Sequence, residues 1–281
     1  MQEQIRRHLS GLIENPPIVP ERIELENKTL FLVQEGRMLF GTKQRAMRTF
    51  IETIKKEQPE IEEVLYVGGY NASGPAAFAY GALMCNLKCT IIIAYKTEEK
   101  LDFFTKSRYK ASLNVLKVKL HLVKTYGEAR TLADDIRKKS KKGSIYYPIM
   151  GFNTPLWRNI LSSKIRDAAR AGNLHFGKDT TIWITAGTGS VAMSLNMAFP
   201  EVNLGLYMTG SEKYQKIIKD WAKNKENVVL IPTLDLEHKP RVPYPTVADY
   251  DDYIWPYIWQ YAEDGDIIWN IATDDVELPK L

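Results

Sequence analysis

The sequence is poor in cysteine and histidine, and no apolar run in it exceeds the length of a strand. Two cysteines, Cys85 and Cys89, in 281 residues exclude a disulfide framework and fit a reducing, cytoplasmic setting. No second pair stands near them to complete a zinc site, so both are expected to be small apolar residues of the interior. His8, His121, His175 and His238 are scattered and none has HExxH-like spacing, which argues against metal catalysis. The absence of a Gly-x-Ser-x-Gly elbow argues against a serine hydrolase. The longest apolar stretches, Val64–Val67 and Thr90–Ala94, are too short to cross a membrane. The opening residues Met1–His8 have no apolar core, so secretion is not expected. Charge of one sign is also scarce: 38 Lys+Arg stand against 34 Asp+Glu, and a net +4 by itself calls for no polyanionic partner.

What is present is ordinary globular material, 44% hydrophobic and 26% charged, enough for two modest domains or one large one. After a strand at Leu30–Gln34, strand-length apolar runs alternate with helix-period segments from about residue 60. The pattern predicts strands at Glu63–Val67, Lys88–Tyr95, Lys117–Val123, Ile145–Tyr147, Thr180–Thr185, Asn203–Tyr207, Val228–Ile231 and Ile267–Ile271. Between them it predicts helices over Pro75–Cys85, Glu98–Leu113, Gly127–Lys141, Leu156–Ala171, Glu212–Asn224 and Tyr253–Ala262, with another after Ser190 and a loose acidic loop over Pro232–Asp252. Such alternation means a parallel α/β sheet, whose ligands bind beyond the carboxyl ends of the strands.

Three strand-to-helix turns carry chemistry. In Ile182-Trp-Ile-Thr-Ala-Gly-Thr-Gly-Ser190 the residues Gly187, Thr188, Gly189 and Ser190 can turn successive N–H groups and two hydroxyls onto a phosphate at a helix N-terminus. No lysine follows, so this is not a nucleoside-triphosphate loop. The same residues with Ala192, and Glu212 further on, also fit a nicotinamide-dinucleotide fingerprint, which would make the protein an oxidoreductase; a tight turn with no ligand is the third possibility. A second loop, Gly68-Gly-Tyr70-Asn71-Ala72-Ser73-Gly74-Pro75, exposes N–H groups with Asn71 and Ser73, suited to a carboxylate or phenolate. Third, Gly41-Thr-Lys43-Gln-Arg45 opens a helix. A lysine in a helix's first turn opposes the dipole, which suits an amine that must be neutral to form a Schiff base.

In order and spacing these loops resemble the fold-type-II pyridoxal-phosphate enzymes (tryptophan synthase β-like), nearest the branch of aminocyclopropane-carboxylate deaminase and D-cysteine desulfhydrase. Phe40-Gly-Thr-Lys-Gln-Arg-Ala46 is similar to that branch's Gly-Gly-Asn-Lys-x-Arg-Lys segment. Gly68–Pro75 resembles its Gly-Gly-x-Gln-Ser-Asn-x-Thr loop, and Pro148-Ile-Met-Gly-Phe-Asn-Thr154 its Pro-x-Gly-Gly-Ser-Asn. Ala186–Ser190 matches its glycine turn, and Asp264-Gly-Asp-Ile-Ile-Trp-Asn-Ile-Ala-Thr273 its Glu-Gly-x-x-Leu-Asp-Pro-x-Tyr-Thr.

The resemblance implies two three-layer α/β domains with mostly parallel sheets and the cofactor in the cleft between them. The large domain would be residues 1–47 plus 144–281, and the small one the insertion 48–143. It implies that Lys43 holds pyridoxal 5′-phosphate as a Schiff base and then moves the substrate's α-proton. Gly187–Ser190 would bind the phosphate, Asn71 or Ser73 the ring hydroxyl or substrate carboxylate, and Thr273 would face the pyridine nitrogen. Tyr70, Asn71, Ala72, Ser73 and Gly74 would form the substrate loop. The expected reaction is a lyase or deaminase type, losing the α-proton or α-carboxylate of an amino-acid-like substrate, in a homodimer with a possible contact at the aromatic helix Tyr253–Tyr261.

Ala272 replaces the branch's tyrosine, and Ala72, Gly74 and Pro75 replace polar residues, so the free-amino-acid carboxylate clamp is weakened. Small divergent members of this fold occur among phage enzymes that elaborate modified thymines in DNA. An amino acid already attached to such a base is therefore an alternative substrate, with Arg45, Arg48, Lys106, Arg108 and Arg158 as a basic rim. A relative that keeps the fold without catalysis is the remaining alternative.

Overall fold

A computed structural model describes residues 5–7, 9, 14–25, 27–177, 179–232, 241–247 and 250–273. Its contacts divide the described residues into two units, one built on Lys43–Phe152 with the residues before Asn15, the other on Asn15–Thr42 and residues 153–273. The joints between them fall at Thr42/Lys43 and Phe152/Asn153.

The first unit opens with helix α1 (Gln44–Glu57), followed by β3 (Glu63–Gly69), α2 (Gly74–Met84), β4 (Lys88–Ala94), α3 (Glu98–Lys106), α4 (Arg108–Val115), β5 (Lys119–Val123), α5 (Tyr126–Lys139) and β6 (Ile145–Tyr146). Its four strands run parallel in the order β5-β4-β3-β6. Helix α2 is apolar all round and buried from Gly74 to Leu83, as a helix with no solvent face must be. On one face of the sheet Leu65, Val67 and Ile92 pack with Ala129 and Ala133 of α5. The expected single helix Glu98–Leu113 is two. Ser107 ends α3 and caps α4: its hydroxyl donates to the Phe104 carbonyl at 2.7 Å and accepts from the Lys110 N–H at 3.3 Å.

The second unit holds β1 (Glu21–Leu25), β2 (Lys28–Gln34), α6 (Pro155–Ala171), β7 (Thr181–Ala186), α7 (Ser190–Ala198), β8 (Asn203–Met208), α8 (Glu212–Ala222), β9 (Val228–Ile231), α9 (Trp255–Tyr261) and β10 (Ile267–Asn270). The strand order is β1-β2-β10-β7-β8-β9, parallel except for the antiparallel edge strand β1. Strand β7 is buried on both faces from Ile182 to Ala186, which requires cover on each side and makes the unit three-layered. One cover is aromatic: Trp255, Tyr257 and Ile258 pack on Trp183, Tyr207, Leu30 and Ile268. The regular helix there is Trp255–Tyr261, shorter than the expected Tyr253–Ala262, because Asp251–Ile254 forms a 3₁₀ turn before it. At the amino end of the sheet Asp266 is an anchor. It accepts from the Thr181 N–H (2.8 Å), the Trp183 indole (2.8 Å) and the Glu263 N–H (2.9 Å).

Cys85 and Cys89 are half-buried rather than interior. Burial of the sulfur, then the field of Glu52, pushes the Cys85 thiol up to about 12, and burial raises that of Cys89.

Candidate functional site

Each unit has loops at the carboxyl ends of its strands. In the first unit Lys43 is the cap residue of α1, half-buried, in helical backbone conformation and making no side-chain cap bond. Its Cδ lies 3.8 Å from the point a Cβ on Gly74 would occupy; the Tyr66 hydroxyl is 3.3 Å and Phe152 Cε2 3.7 Å from the same point. The lysine stem, a tyrosine hydroxyl and the first residue of α2 thus share one small volume, left open because residue 74 has no side chain. The tyrosine is fixed: its oxygen accepts from the Gly151 N–H at 3.0 Å, and its ring stacks on Phe152 with centroids 4.7 Å apart.

The loop ahead of α2 divides in two. Tyr70 packs edge-on against Phe103, with the Lys100 ammonium 5.0 Å above its ring, so its side chain serves the packing of α3. Asn71 is half-buried, its Oδ1 3.7 Å from the Cβ position of Gly69. The Ala72 N–H closes the turn onto the Gly69 carbonyl at 3.3 Å. Ser73 is 7% exposed and stands at the cap of α2, yet its hydroxyl makes no cap bond. Of the sequence-predicted residues in this unit, Lys43 and Gly74 are therefore brought together.

In the second unit β7 runs into Gly187–Ser190 and then α7. Gly189 is left-handed (φ 81°), and a Cβ there would stand 2.8 Å from Ile218 Cγ1. Asn153 holds the turn from below. Its Nδ2 donates to the Thr188 carbonyl at 3.0 Å and its Oδ1 accepts from Arg158 Nη1 at 2.8 Å. With that carbonyl tied back, the N–H groups of the turn beyond Gly187 are what remains to face a ligand. The Gly187 N–H donates to the Tyr250 hydroxyl at 2.8 Å. Thr188 and Ser190 hydroxyls lie 3.5 Å apart. Nearby, at the ends of β7 and β8, the Thr185 and Thr209 hydroxyls are buried with no partner among the described residues. Orphaned hydroxyls beside a glycine turn at a helix N-terminus fit an anionic group such as a phosphate.

Thr273, three residues past β10, is 2% exposed; its backbone nitrogen is 2.6 Å from the Cβ position of Gly36, against which it packs. Because β10 neighbours β7, Thr273 and the glycine turn lie at the same end of one sheet. The loop leading to Lys43 is tied there too: the Thr42 N–H donates to the Ile271 carbonyl at 3.2 Å. Gly41, left-handed at φ 65°, passes so close to that carbonyl that a Cβ would be 2.6 Å from it.

Sequence reasoning did not name Tyr66, Asn153 or Tyr250 as site residues. Asn153 sits inside Pro148–Thr154, a segment the resemblance already flagged. The two tyrosines carry no local signal, since their contacts span 85 and 63 residues of chain. The basic rim is not assembled from free charges. Arg45 is 3% exposed, Arg48 is held by Glu52 (2.7 Å) and Glu14 (3.0 Å), and Lys106 pairs with Asp102 at 2.7 Å. The side chain of Arg108, like His8 and His238, lies outside the described residues. Glu212 is exposed on the first turn of α8. Among the described residues no three His, Cys, Asp or Glu gather to hold a metal ion.

No protein-family model matches the chain, and no curated protein is similar to it in sequence. Solved structures are. An ACC deaminase homologue superposes with a TM-score of 0.61 at 14% identity, over 97% of this chain and 95% of its own. A hydrogen sulfide-producing enzyme, solved with an α-aminoacrylate intermediate, gives 0.65 at 13% identity, over 97% and 90%. Threonine deaminase isoform 2 of Solanum lycopersicum gives 0.58 at 12%, over 97% and 89%. The chain has the fold of these enzymes, the tryptophan synthase β-like, fold-type-II architecture that the ordered loops led us to expect.

Proposed function

We propose that the protein is a pyridoxal-phosphate enzyme of the lyase or deaminase type, acting on a small amino-acid-like amine. The observation that carries this is the stem of Lys43 lying against the amino end of α2 beside the Tyr66 hydroxyl, in a fold whose solved neighbours include deaminases.

In this reading Lys43 binds the cofactor covalently through Nζ and later carries the proton taken from the substrate's α-carbon. Thr188, Gly189 and Ser190 hold the phosphate through N–H and hydroxyl donors, while the Gly187 N–H is held by Tyr250 and Asn153 fixes the turn's orientation. Asn71 and Ser73 contact the ring hydroxyl or the substrate carboxylate, and Ala72 and Gly74 leave room for the substrate. The cofactor, when bound, supplies the electron sink for the bond broken at the α-carbon. Thr273 offers the ring nitrogen a neutral hydroxyl in place of a carboxylate. That keeps the sink mild and favours elimination over transamination. The working form is a homodimer in the cytoplasm. An amino acid attached to a modified thymine of DNA is the alternative substrate. The burial of Arg45 and the pairing of Arg48 and Lys106 favour the free amine.

Purified protein is expected to be yellow, with a visible band that borohydride abolishes and that is missing in Lys43→Ala. A colourless protein that takes up no added cofactor, or an unchanged band in Lys43→Ala, refutes the reading.

A further inference from the structure

The first unit has a second chemically distinctive place, at the opposite end of its sheet. A cavity of about 420 Å³ opens at the amino ends of β3, β4 and β5, lined by Lys88, Lys117, Lys119 and Lys139 against the single carboxylate of Glu63. It does not belong to the candidate site. Strand β3 begins here at Glu63 and delivers its other end to Gly69, about 20 Å away at the usual rise per residue.

The topology gathers these lysines from three stretches of the sequence. Lys88 and Lys119 are the first residues of two adjacent parallel strands, and Thr90 is paired with Lys119. Lys117 takes a left-handed backbone conformation (φ 53°) just before β5, and Lys139 closes α5. Among the described residues none of the four ammoniums is ion-paired, although Lys106, Lys124 and Lys223 in the same molecule each find a carboxylate. Glu63 is engaged otherwise, its Oε1 accepting from the Thr90 hydroxyl at 2.5 Å. The Cys89 thiol in the wall is held protonated by burial and adds no negative charge. The field reaches the next residue on that face: His121 titrates below its ordinary value, through burial first and Lys119 second. Exposed lysines usually diverge or find acids, because like charges facing one cavity repel. Four point-charge donors with no arginine fork suit a compact multivalent anion better than a planar carboxylate.

We propose that this cavity is a phosphate-binding site, taking the phosphoryl group of a phosphorylated small molecule or of a nucleic-acid backbone. The inference does not depend on the pyridoxal-phosphate reading.

The test is titration of the full chain with inorganic pyrophosphate. The protein is first saturated with pyridoxal phosphate so that the glycine turn is filled; a protein that takes up none is titrated as purified. Lys88→Gln combined with Lys119→Gln is expected to weaken pyrophosphate binding at least tenfold. Lys88→Arg with Lys119→Arg should retain it, and Lys213→Gln with Lys216→Gln, on α8 of the other unit, should leave it unchanged. Circular dichroism checks that each variant is folded. A short DNA duplex added to the same proteins separates the sources. Tight binding whose log–log salt slope falls by about two in the Lys88/Lys119 glutamine pair identifies a nucleic-acid backbone. Pyrophosphate binding without duplex binding identifies a free phosphorylated molecule. Absence of pyrophosphate binding, or binding that the glutamine pair leaves unchanged, overturns the proposal.

Discussion

The loops Gly68–Gly74 and Gly187–Ser190 occupy equivalent topological places, each joining a parallel strand to the helix after it, yet they are built from different material. Around the first, Tyr66, Phe78 and Phe152 form one aromatic cluster, and the helix it opens has no polar face. Around the second, an amide, a guanidinium and a phenol bond to the turn or to each other, and two threonine hydroxyls lie buried close by. The first loop clears space beside an aliphatic stem, and the second presents oriented dipoles. In the proposed enzyme they divide the labour accordingly, one accommodating organic substance and the other a charged group.

The comparison can be broken most forcefully at Lys43. Lys43→Ala should lower turnover by about 10²–10⁴-fold, the range for losing a positioned proton carrier, while melting stays near that of the parent. Steady-state rates with calorimetry check both halves. The next largest effect separates the two loops. Gly189→Ala forces a left-handed residue to carry a Cβ 2.8 Å from Ile218, and should cost about 2 kcal/mol of stability along with cofactor affinity. Gly74→Ala meets the Tyr66 hydroxyl at 3.3 Å and makes ordinary contact with Phe152 and Lys43 at 3.7 and 3.8 Å, in ordinary helical backbone. It should change stability by less than about 1 kcal/mol while turnover falls. Equal losses of stability in the two would erase the distinction. Asn153→Ala removes the bond that ties back Thr188, and should weaken cofactor binding roughly fivefold, the equivalent of about 1 kcal/mol. Equilibrium dialysis measures it. The smallest expected effect is at the thiols. A Cys85 pKa of about 12 leaves roughly one part in ten thousand as thiolate at pH 8, so disulfide reagents should react slowly until the protein is unfolded.

The alternation of strands and helices was legible because buried parallel strands such as Thr181–Ala186 are apolar runs of strand length set between helix-length segments. The edge strand Glu21–Leu25 was not. Only every second residue of Glu-Arg-Ile-Glu-Leu is part-buried, and its place is set by antiparallel pairing with β2. The break at Ser107 escaped because a serine inside a helical period looks like an exposed residue until its hydroxyl is seen to cap the next helix. At the candidate site, glycine-rich turns announce themselves locally. Tyr66, Asn153 and Tyr250 do not, because a side chain that reaches a loop from a distant element leaves no mark beside it. The four lysines of the second cavity are invisible for the same reason, being dispersed over fifty residues of sequence and collected by strand order.

The bond from the Thr42 N–H to the Ile271 carbonyl joins main chain to main chain, with Gly41 bent to permit it. The Thr42 hydroxyl donates to the same carbonyl at 3.5 Å, so alanine scanning would register only that weaker contact and pass over the main-chain bond. An ester at that linkage made by chemical synthesis, which deletes the N–H and keeps the threonine hydroxyl, would loosen the segment leading to Lys43 while leaving every side chain in the molecule intact.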